Sequence, residues 1–451
     1  MRETFFFYDL ETSGLLPRQS RIMQFAGQRT DMNLEPIGEP VNILVKMTDD
    51  ALPSPEAIAV TGITPQATLM DGMSEAEFCR YISEEVFVPG AIALGYNTVR
   101  FDDEFMRACL WRNFYDPYEW EWKDGRGRWD MLDVVRLTRA LRPEGIEWPF
   151  TEDGKPTNRL ELITKLNGMK HEHAHDALSD VYATIAVARL IREKQPKLFN
   201  YLFKMRDKRE VQKLVNLENP QPFVYASGRY SSGFNKTTVA FPIAPGRNGN
   251  VLVYDLRYDV EKVLEQDAQG SVTRGGEFYP IVKELCYNKC PTVAPVAVLE
   301  QGDGWKKIGL SREQVEENLK KLLEHPEFVE RVRSAHEERP EFPSASEPEE
   351  ALYDGFLNDT DRRLVATVRN AEPARLADYH PEFIDERLPE LLLHYKGRNY
   401  PETLSEDEME RYEQYRKERL QKQLPKFMEE LEKMEDDFLK EELTLYLQSL
   451  S

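Results

Sequence analysis

The strongest constraint on the fold is an aromatic run near the N-terminus that leads directly into two carboxylates. Residues 5–8 read Phe-Phe-Phe-Tyr, and Asp9 and Glu11 follow with one residue between them. Aromatic residues favour strands, so the run predicts a buried strand over residues 4–8. Because alternate residues of a strand point to one face, we expect Asp9 and Glu11 to present their carboxylates side by side.

The pattern beyond this strand predicts three structural regions. Further strands are expected at 21–29, 41–46 and 91–95, and helices at 75–86, 101–114, 131–141, 159–167 and 176–193. This order favours an α/β layer fold. From Gln221 to Leu299, short β-prone runs alternate with Gly/Pro/Asn turns, which is typical of a small β-barrel or sandwich. After the Pro/Ser/Glu-rich segment 340–348 the pattern is entirely helical. We therefore predict domains at 1–192, 193–345 and 346–451.

Composition excludes several classes of protein. No window of about 20 apolar residues is present, so no membrane span is expected. Four cysteines in 451 residues do not make a disulfide framework, which favours the cytoplasm. The net charge of −21 argues at first against a nucleic-acid partner. However, residues 192–257 carry 12 Lys+Arg against 5 Asp+Glu, so the chain contains a basic stretch. A solvated helix face explains that stretch equally well.

Two further acidic elements complete a metal-binding pattern with Asp9 and Glu11. Asp102 begins a helical pattern directly after a predicted strand. Asp180 lies among apolar helical residues, where a carboxylate is costly unless it is paired or holds a metal. His175 precedes Asp180 by five residues and is suited to accept a proton near neutral pH. Four carboxylates and one histidine match a two-metal phosphodiesterase site.

These motifs resemble those of the DEDDh 3′→5′ exonucleases, and more specifically those of the bacterial exonuclease I family. The closer resemblance covers essentially the whole chain and rests on segments 62–65, 95–104, 112–118, 140–146, 174–177 and 288–291. It implies an RNase H-like exonuclease domain followed by an SH3-like β-barrel domain and an all-helical C-terminal domain. The expected activity is processive hydrolysis of single-stranded DNA from the 3′ end, releasing 5′-mononucleotides in DNA repair and recombination.

The resemblance also assigns roles to individual residues. Asp9, Glu11, Asp102 and Asp180 match the ligands of two Mg²⁺ ions, for which Mn²⁺ can substitute, and His175 matches the general base. Glu11 and Arg159 match substrate contacts, although Arg159 is equally compatible with a surface ion pair. The family binds the C-terminal tail of the single-stranded DNA-binding protein, and Arg142 is the candidate contact. We expect a monomer.

Several alternatives remain open from the sequence. An RNA-trimming or proofreading exonuclease would use the same chemistry, and a non-catalytic single-strand binder would keep the fold without turnover. The segment 229–234 interleaves Arg229 with Tyr230 and Phe234, as a base-stacking platform would, but ordinary hairpin packing is the favoured interpretation. Alternating histidines at 171, 173 and 175 suggest zinc only weakly, because no fourth ligand flanks them.

Overall fold

The computed structural model describes residues 3–170, 176–267, 281–339 and 344–450. Along the chain, a part with both strands and helices is followed by a β-rich part and then by a helical part. The strands are β1 (Thr4–Thr12), β2 (Ile22–Thr30), β3 (Val41–Leu44), β4 (Ala91–Gly95), β5 (Gly127–Asp130), β6 (Phe223–Ala226), β7 (Thr237–Pro245), β8 (Val251–Asp255), β9 (Val282–Leu285) and β10 (Thr292–Pro295). The helices as far as the end of the β-rich stretch are α1 (Pro55–Thr61), α2 (Pro65–Asp71), α3 (Glu75–Tyr81), α4 (Asp102–Arg112), α5 (Glu119–Trp122), α6 (Met131–Leu141), α7 (Leu160–Leu166), α8 (Ala177–Lys194), α9 (Pro196–Lys204), α10 (Lys208–Leu214) and α11 (Val260–Asp267). The remaining helices are α12 (Gly304–Lys307), α13 (Arg312–Glu324), α14 (Pro326–Glu337), α15 (Asp359–Asn370), α16 (Arg387–Asn399), α17 (Glu406–Lys433) and α18 (Asp437–Ser449).

The chain divides into two compact units that do not follow its linear order. The first unit comprises Met1–Gly127, Glu172–Tyr182 and Pro343–Ser451, and the second comprises Arg128–His171 and Ala183–Phe342. The first unit therefore joins the N-terminal α/β elements to the C-terminal helices. The three domain boundaries expected from the sequence remain a prediction.

In the first unit, the aromatic strand β1 lies inside the sheet. β1 pairs antiparallel with β2 and parallel with β4, and β3 lies outside β2. The side chains of residues 5–8 are all at most 2% exposed, because neighbouring strands and helices cover both faces. The rings of Phe6 and Tyr8 each pack against the ring of Phe25, with centroids about 6 Å apart. This aromatic core fixes where β1 ends, and therefore where its carboxylates lie.

The second unit is built around an antiparallel five-stranded sheet. Its strand order is β10-β6-β7-β8-β9, and every adjacent pair is antiparallel. Valine, tyrosine and phenylalanine side chains from these strands form its core together with α9 and α10. Ser311 caps the start of α13, because its hydroxyl accepts a hydrogen bond from the Gln314 amide at 3.1 Å.

A buried ionic cluster links the C-terminal helices to the α/β part of the first unit. We call the following seven residues the arginine–carboxylate cluster: Arg21, Asp50, Glu75, Arg112, Glu349, Arg398 and Arg419. Arg21 Nη2 lies 3.0 Å from Asp50 Oδ2 and 3.6 Å from Glu349 Oε1. Arg398 contacts the same two carboxylates, at 3.1 Å from Asp50. Charges that are this deeply buried persist only when each is paired.

The cluster holds its carboxylates in the ionised form. Burial alone would raise the pKa of Glu349, but the charges of Arg419, Arg398 and Arg21 hold it well below its ordinary value. Arg21 and Arg398 likewise hold the pKa of Asp50 low against its burial. The C-terminal helices are therefore joined to the α/β part by ionic contacts as well as by apolar packing of α17 and α18 on α1.

Membrane insertion finds no support in these elements. Within the described ranges, each helix is too short or too polar to cross a bilayer.

Candidate metal centre

The two carboxylates of β1 lie where that strand runs past its parallel neighbour. The pairing of β1 with β4 ends at Phe7, whereas the pairing with β2 continues through Asp9 and Glu11. The end of a strand beside a parallel partner is the usual position for functional groups in such sheets, because the backbone is rigid and the side chains reach solvent. Glu11 is 9% exposed and Asp9 is half-buried, so both carboxylates lie in a partly enclosed site.

A third carboxylate from another element joins them. Asp180 lies in the first turn of α8, and oxygens of Asp9, Glu11 and Asp180 all lie within 4.8 Å of one another. Three carboxylates at this separation repel unless they are protonated or bridged by a cation. Oxygen donors of this kind suit hard divalent cations, so the residues fit a metal site.

Asp102 lies beside the cluster and is held there by the backbone of β1. Its Oδ1 atom accepts a hydrogen bond from the Leu10 amide at 3.1 Å, and the residue is 3% exposed. Its oxygens are not among the three that lie mutually within 4.8 Å, but its charge acts on Asp9. The next residue, Asp103, accepts a hydrogen bond from the Tyr8 hydroxyl at 2.5 Å, and thereby ties α4 to β1.

The electrostatics of the site reflect crowded negative charge. Burial, followed by the charges of Asp9, Asp180 and Asp176, raises the pKa of Glu11 to about 9. Burial also raises the pKa of Asp9, with Asp102, Asp180 and Asp176 adding to the effect. Perturbed carboxylates that converge in this way are typical of functional sites. A bound cation would remove the repulsion and release protons.

Asp176 is a contributor that the sequence reasoning did not assign. Its Oδ1 accepts a hydrogen bond from the Ser179 amide at 2.9 Å, so it caps the start of α8 one turn before Asp180. Its charge reaches both Asp9 and Glu11. The sequence feature that points to Asp176 is its spacing of four residues from Asp180. This spacing puts the two side chains on adjacent turns of one helix face.

Glu11→Gln is expected to stabilise the metal-free protein. The pKa of Glu11 is raised in the fold, so its favourable contribution is complete below about pH 4.5 and is lost as the pH rises towards about 9. Glutamine does not ionise, so the stability of the variant does not fall with pH in this way. The free energy of unfolding of the variant should therefore exceed that of wild type by an amount that grows across this interval, reaching on the order of 2 kcal/mol at pH 8. Thermal unfolding in EDTA between pH 5 and pH 9 measures it. A constant difference between variant and wild type across this range would contradict the expectation.

The structure brings together four of the predicted site residues. Asp9, Glu11, Asp102 and Asp180 all belong to the first unit, whereas His175 lies outside the described residues.

Arg159 and Arg142 belong to the second unit. The Arg159 guanidinium is 69% exposed and lies 3.3 Å from Glu161, as in the ion-pair alternative. The Arg142 guanidinium donates to the carbonyl oxygens of Leu141 and Val298, at 2.7 and 3.2 Å. The roles of both arginines remain predictions.

Comparison with known proteins agrees with this architecture. Three family models match in order: Exonuclease over residues 6–188, Exonuclease I SH3-like domain over 206–338, and Exonuclease I C-terminal domain over 346–451. Exodeoxyribonuclease I of Haemophilus influenzae is 40% identical over 444 residues, which cover 96% of this chain and 93% of that protein.

Solved structures match over the full length. A crystal structure of Escherichia coli exonuclease I in complex with a dA16 oligonucleotide is 38% identical, with a TM-score of 0.94 and complete coverage of both chains. A structure of SSB/exonuclease I in complex with the inhibitor CFAM is 37% identical, with a TM-score of 0.88, and covers 100% of this chain and 99% of that one. The expected fold class is thereby confirmed.

The order of three domains, the full-length relatives and the carboxylates at the end of β1 lead to one assignment. The chain belongs to the exonuclease I family and is a nuclease of the exodeoxyribonuclease type.

Proposed function

We propose that the chain is a Mg²⁺-dependent exonuclease that processively removes 5′-mononucleotides from the 3′ end of single-stranded DNA, in the cytoplasm and in DNA repair and recombination. The observation that carries this proposal is the convergence of the Asp9, Glu11 and Asp180 oxygens within 4.8 Å of one another. Two divalent ions at such a site supply Lewis-acid stabilisation of the attacking and leaving oxygens.

We propose roles for individual residues that match those implied by the family resemblance. Asp9, Glu11, Asp102 and Asp180 would hold the cations, and the hydrogen bond from the Leu10 amide to the Asp102 carboxylate fixes α4 against β1. We assign His175 as the base that accepts a proton from the attacking water. We assign Glu11 and Arg159 to the terminal nucleotide, for which an arginine offers several N–H donors to phosphate oxygens.

The activity is tested with strands labelled at one end. Purified protein and Mg²⁺ should release labelled mononucleotide at once from a 3′-labelled strand, whereas a 5′-labelled strand should be converted to a short labelled product without accumulation of intermediate lengths. EDTA should abolish both results, and Mn²⁺ should restore them. Initial release from the 5′ end would refute the proposal. Faster cleavage of an RNA strand in the same assay would favour the RNA-trimming alternative, and metal-independent binding without turnover would favour the binding-only alternative.

We propose further that the chain is a monomer with domains at 1–192, 193–345 and 346–451, and that it binds the acidic C-terminal tail of the single-stranded DNA-binding protein. The SSB/exonuclease I structure among its relatives supports a partner of this kind. Arg142 is the candidate contact, since its guanidinium is half-buried and is oriented by two carbonyl oxygens.

Arg142→Ala is expected to weaken binding of a tail peptide by about tenfold or more, because a hydrogen bond to a charged group is worth about 1.5–3 kcal/mol. Fluorescence anisotropy with a labelled peptide measures the change. Arg312→Ala is the matched control, because it removes a cation that lies 2.7 Å from Glu300 on the same unit. Equal affinities of the two variants would exclude Arg142 from the contact.

A further inference from the structure

The start of helix α4, which carries Asp102, is fixed by contacts with β1 and not by a capping side chain. Phe101 stands at the capping position with φ −127° and ψ −75°, and its ring offers no oxygen to the first amides of the helix. The Asp102 carboxylate accepts a hydrogen bond from the Leu10 amide at 3.1 Å. The Asp103 carboxylate accepts one from the Tyr8 hydroxyl at 2.5 Å. Two consecutive residues of α4 are therefore both bonded to β1.

The two bonds hold the first turn of α4 along different directions. Consecutive side chains of an α-helix point about 100° apart, so Asp102 and Asp103 reach β1 along separate lines. Apolar packing alone does not fix a helix in this way, because apolar contacts are non-directional whereas a hydrogen bond has narrow limits of distance and angle. The bond from Tyr8 therefore restricts the rotation of α4 about its axis, and with it the direction of the Asp102 side chain.

The Tyr8 hydroxyl is itself held in place by its aromatic surroundings. The ring is fully buried, and its centroid lies 5.9 Å from the centroids of Phe25 and Phe87 and 6.4 Å from that of Trp120. A ring enclosed by such neighbours cannot change its rotamer without displacing them. The hydroxyl is thus a fixed point on β1, one residue before Asp9.

Tyr8 reaches α4 from the face of β1 opposite to the metal-ligand candidates. Because side chains alternate along a strand, Tyr8 and Leu10 lie on one face and Asp9 and Glu11 on the other. Tyr8 and Leu10 belong to an apolar core that residues of α4 also line. Asp103 is buried as well, where a carboxylate is costly unless it accepts hydrogen bonds. The Tyr8 hydroxyl therefore acts on the site through α4.

We propose that Tyr8 is a positioning residue for Asp102: through Asp103, its hydroxyl sets the first turn of α4 so that the Asp102 carboxylate reaches the cation. The proposal rests on the proposed function, in which Asp102 is a metal ligand. Mg²⁺ takes oxygen ligands only at about 2.0–2.1 Å in near-ideal octahedral geometry, so a small rotation of α4 withdraws this ligand. Groups that orient metal ligands typically contribute about 10- to 100-fold to metal affinity or activity.

Tyr8→Phe tests the proposal, because it removes the hydroxyl and keeps the packed ring. We expect the full-length variant to bind Mn²⁺ about tenfold or more weakly, as measured by the electron paramagnetic resonance of free Mn²⁺ during a titration. Hydrolysis of a 3′-labelled strand should fall by about the same factor, whereas affinity for oligo-dT in EDTA should be unchanged. Wild-type Mn²⁺ affinity in the folded variant would overturn the proposal.

Substitutions of Asp103 separate the hydrogen bond from the charge. Asp103→Asn keeps an oxygen acceptor for Tyr8, so it should bind Mn²⁺ with close to wild-type affinity. Asp103→Leu removes the acceptor and should lose as much affinity as Tyr8→Phe, and the two changes combined should lose no more than either alone. Equal losses for the Asn and Leu variants would mean that the charge of Asp103 acts directly on the cation, and the positioning role would be wrong. Either side of the bond can be tested if one variant does not fold.

Tyr412→Phe is the matched control. Tyr412 is a buried residue of α17, and its hydroxyl donates to Asp49 Oδ1 at 2.6 Å. The variant loses the same kind of bond at another place in the first unit, so it should keep the wild-type Mn²⁺ affinity. If it loses as much affinity as Tyr8→Phe, a general loosening of the fold explains both and the proposal is wrong. Absence of both Mn²⁺ binding and hydrolysis in wild type would instead refute the proposed function, so the two failures are distinguishable.

Discussion

Asp180→Asn should lower the rate of 3′-end hydrolysis by at least about a thousandfold, with strand affinity in EDTA unchanged. The substitution keeps the shape of the side chain but replaces one of three carboxylates whose oxygens lie within 4.8 Å of one another. A cation held by two of those carboxylates is bound more weakly and less precisely. Lewis-acid stabilisation is worth several kcal/mol, and each 1.36 kcal/mol of barrier is a factor of ten in rate.

The matched control for this experiment is Asp176→Asn, the same change one helical turn earlier. Asp176 influences the site through its charge, and its Oδ1 caps α8. Asparagine caps a helix as well as aspartate does, so the helix start should be kept. The variant loses one charge near the site, whose interaction is worth about 1 kcal/mol, so its activity should stay within about tenfold of wild type. Single-turnover cleavage of a 3′-labelled strand across a Mg²⁺ titration measures both variants. Comparable losses in the two would mean that Asp180 acts only through its charge.

Glu349→Gln should destabilise the protein by about 3–5 kcal/mol, because removing one partner of a buried ion pair leaves the others uncompensated. The neutral side chain would face Arg21, Arg398 and Arg419, all buried. The pKa of Glu349 is held below its ordinary value of 4.5 in the fold. Its stabilisation is therefore complete above about pH 4.5 and declines as the pH falls further. The deficit of the variant should be largest near pH 7 and should shrink in acid.

Glu347→Gln provides the control two residues away. Glu347 forms a surface pair with Lys422 at 3.4 Å, and such pairs are worth at most about 1 kcal/mol. Urea unfolding at pH 7 and pH 4 compares the two. Combining Glu349→Gln with Arg419→Gln should cost less than the sum of the single changes, because the lost charges compensate each other. Equal midpoints for the Glu349 and Glu347 variants would contradict a structural role of the arginine–carboxylate cluster.

Local sequence patterns predicted the elements and the carboxylates, because both depend on near neighbours. The strand 91–95 and the helix 131–141 have the expected bounds, and the alternation in β1 correctly pairs Asp9 with Glu11. Local patterns also bring Asp180 into the first turn of α8.

Features that depend on distant pairing were not predictable. Asp50 and Arg398 lie 348 positions apart, and no local signal marks either as buried. Lys283 is buried because its register in β9 turns it towards the sheet core, where it meets the Tyr230 ring. An isolated lysine in a short strand gives no sign of this. The division into two units likewise depends on contacts that skip the middle of the chain.

The arginine–carboxylate cluster also limits how this enzyme can be taken apart. A fragment that ends before Glu349 would lose that carboxylate and two arginines. Arg21 would then keep two of its three carboxylates, and Asp50 would keep one of its three arginines. The catalytic part is thus not a minimal, separable module, although the family models assign the C-terminal helices to a domain of their own. A chimaera that exchanges these helices between relatives would need to carry both halves of the cluster together.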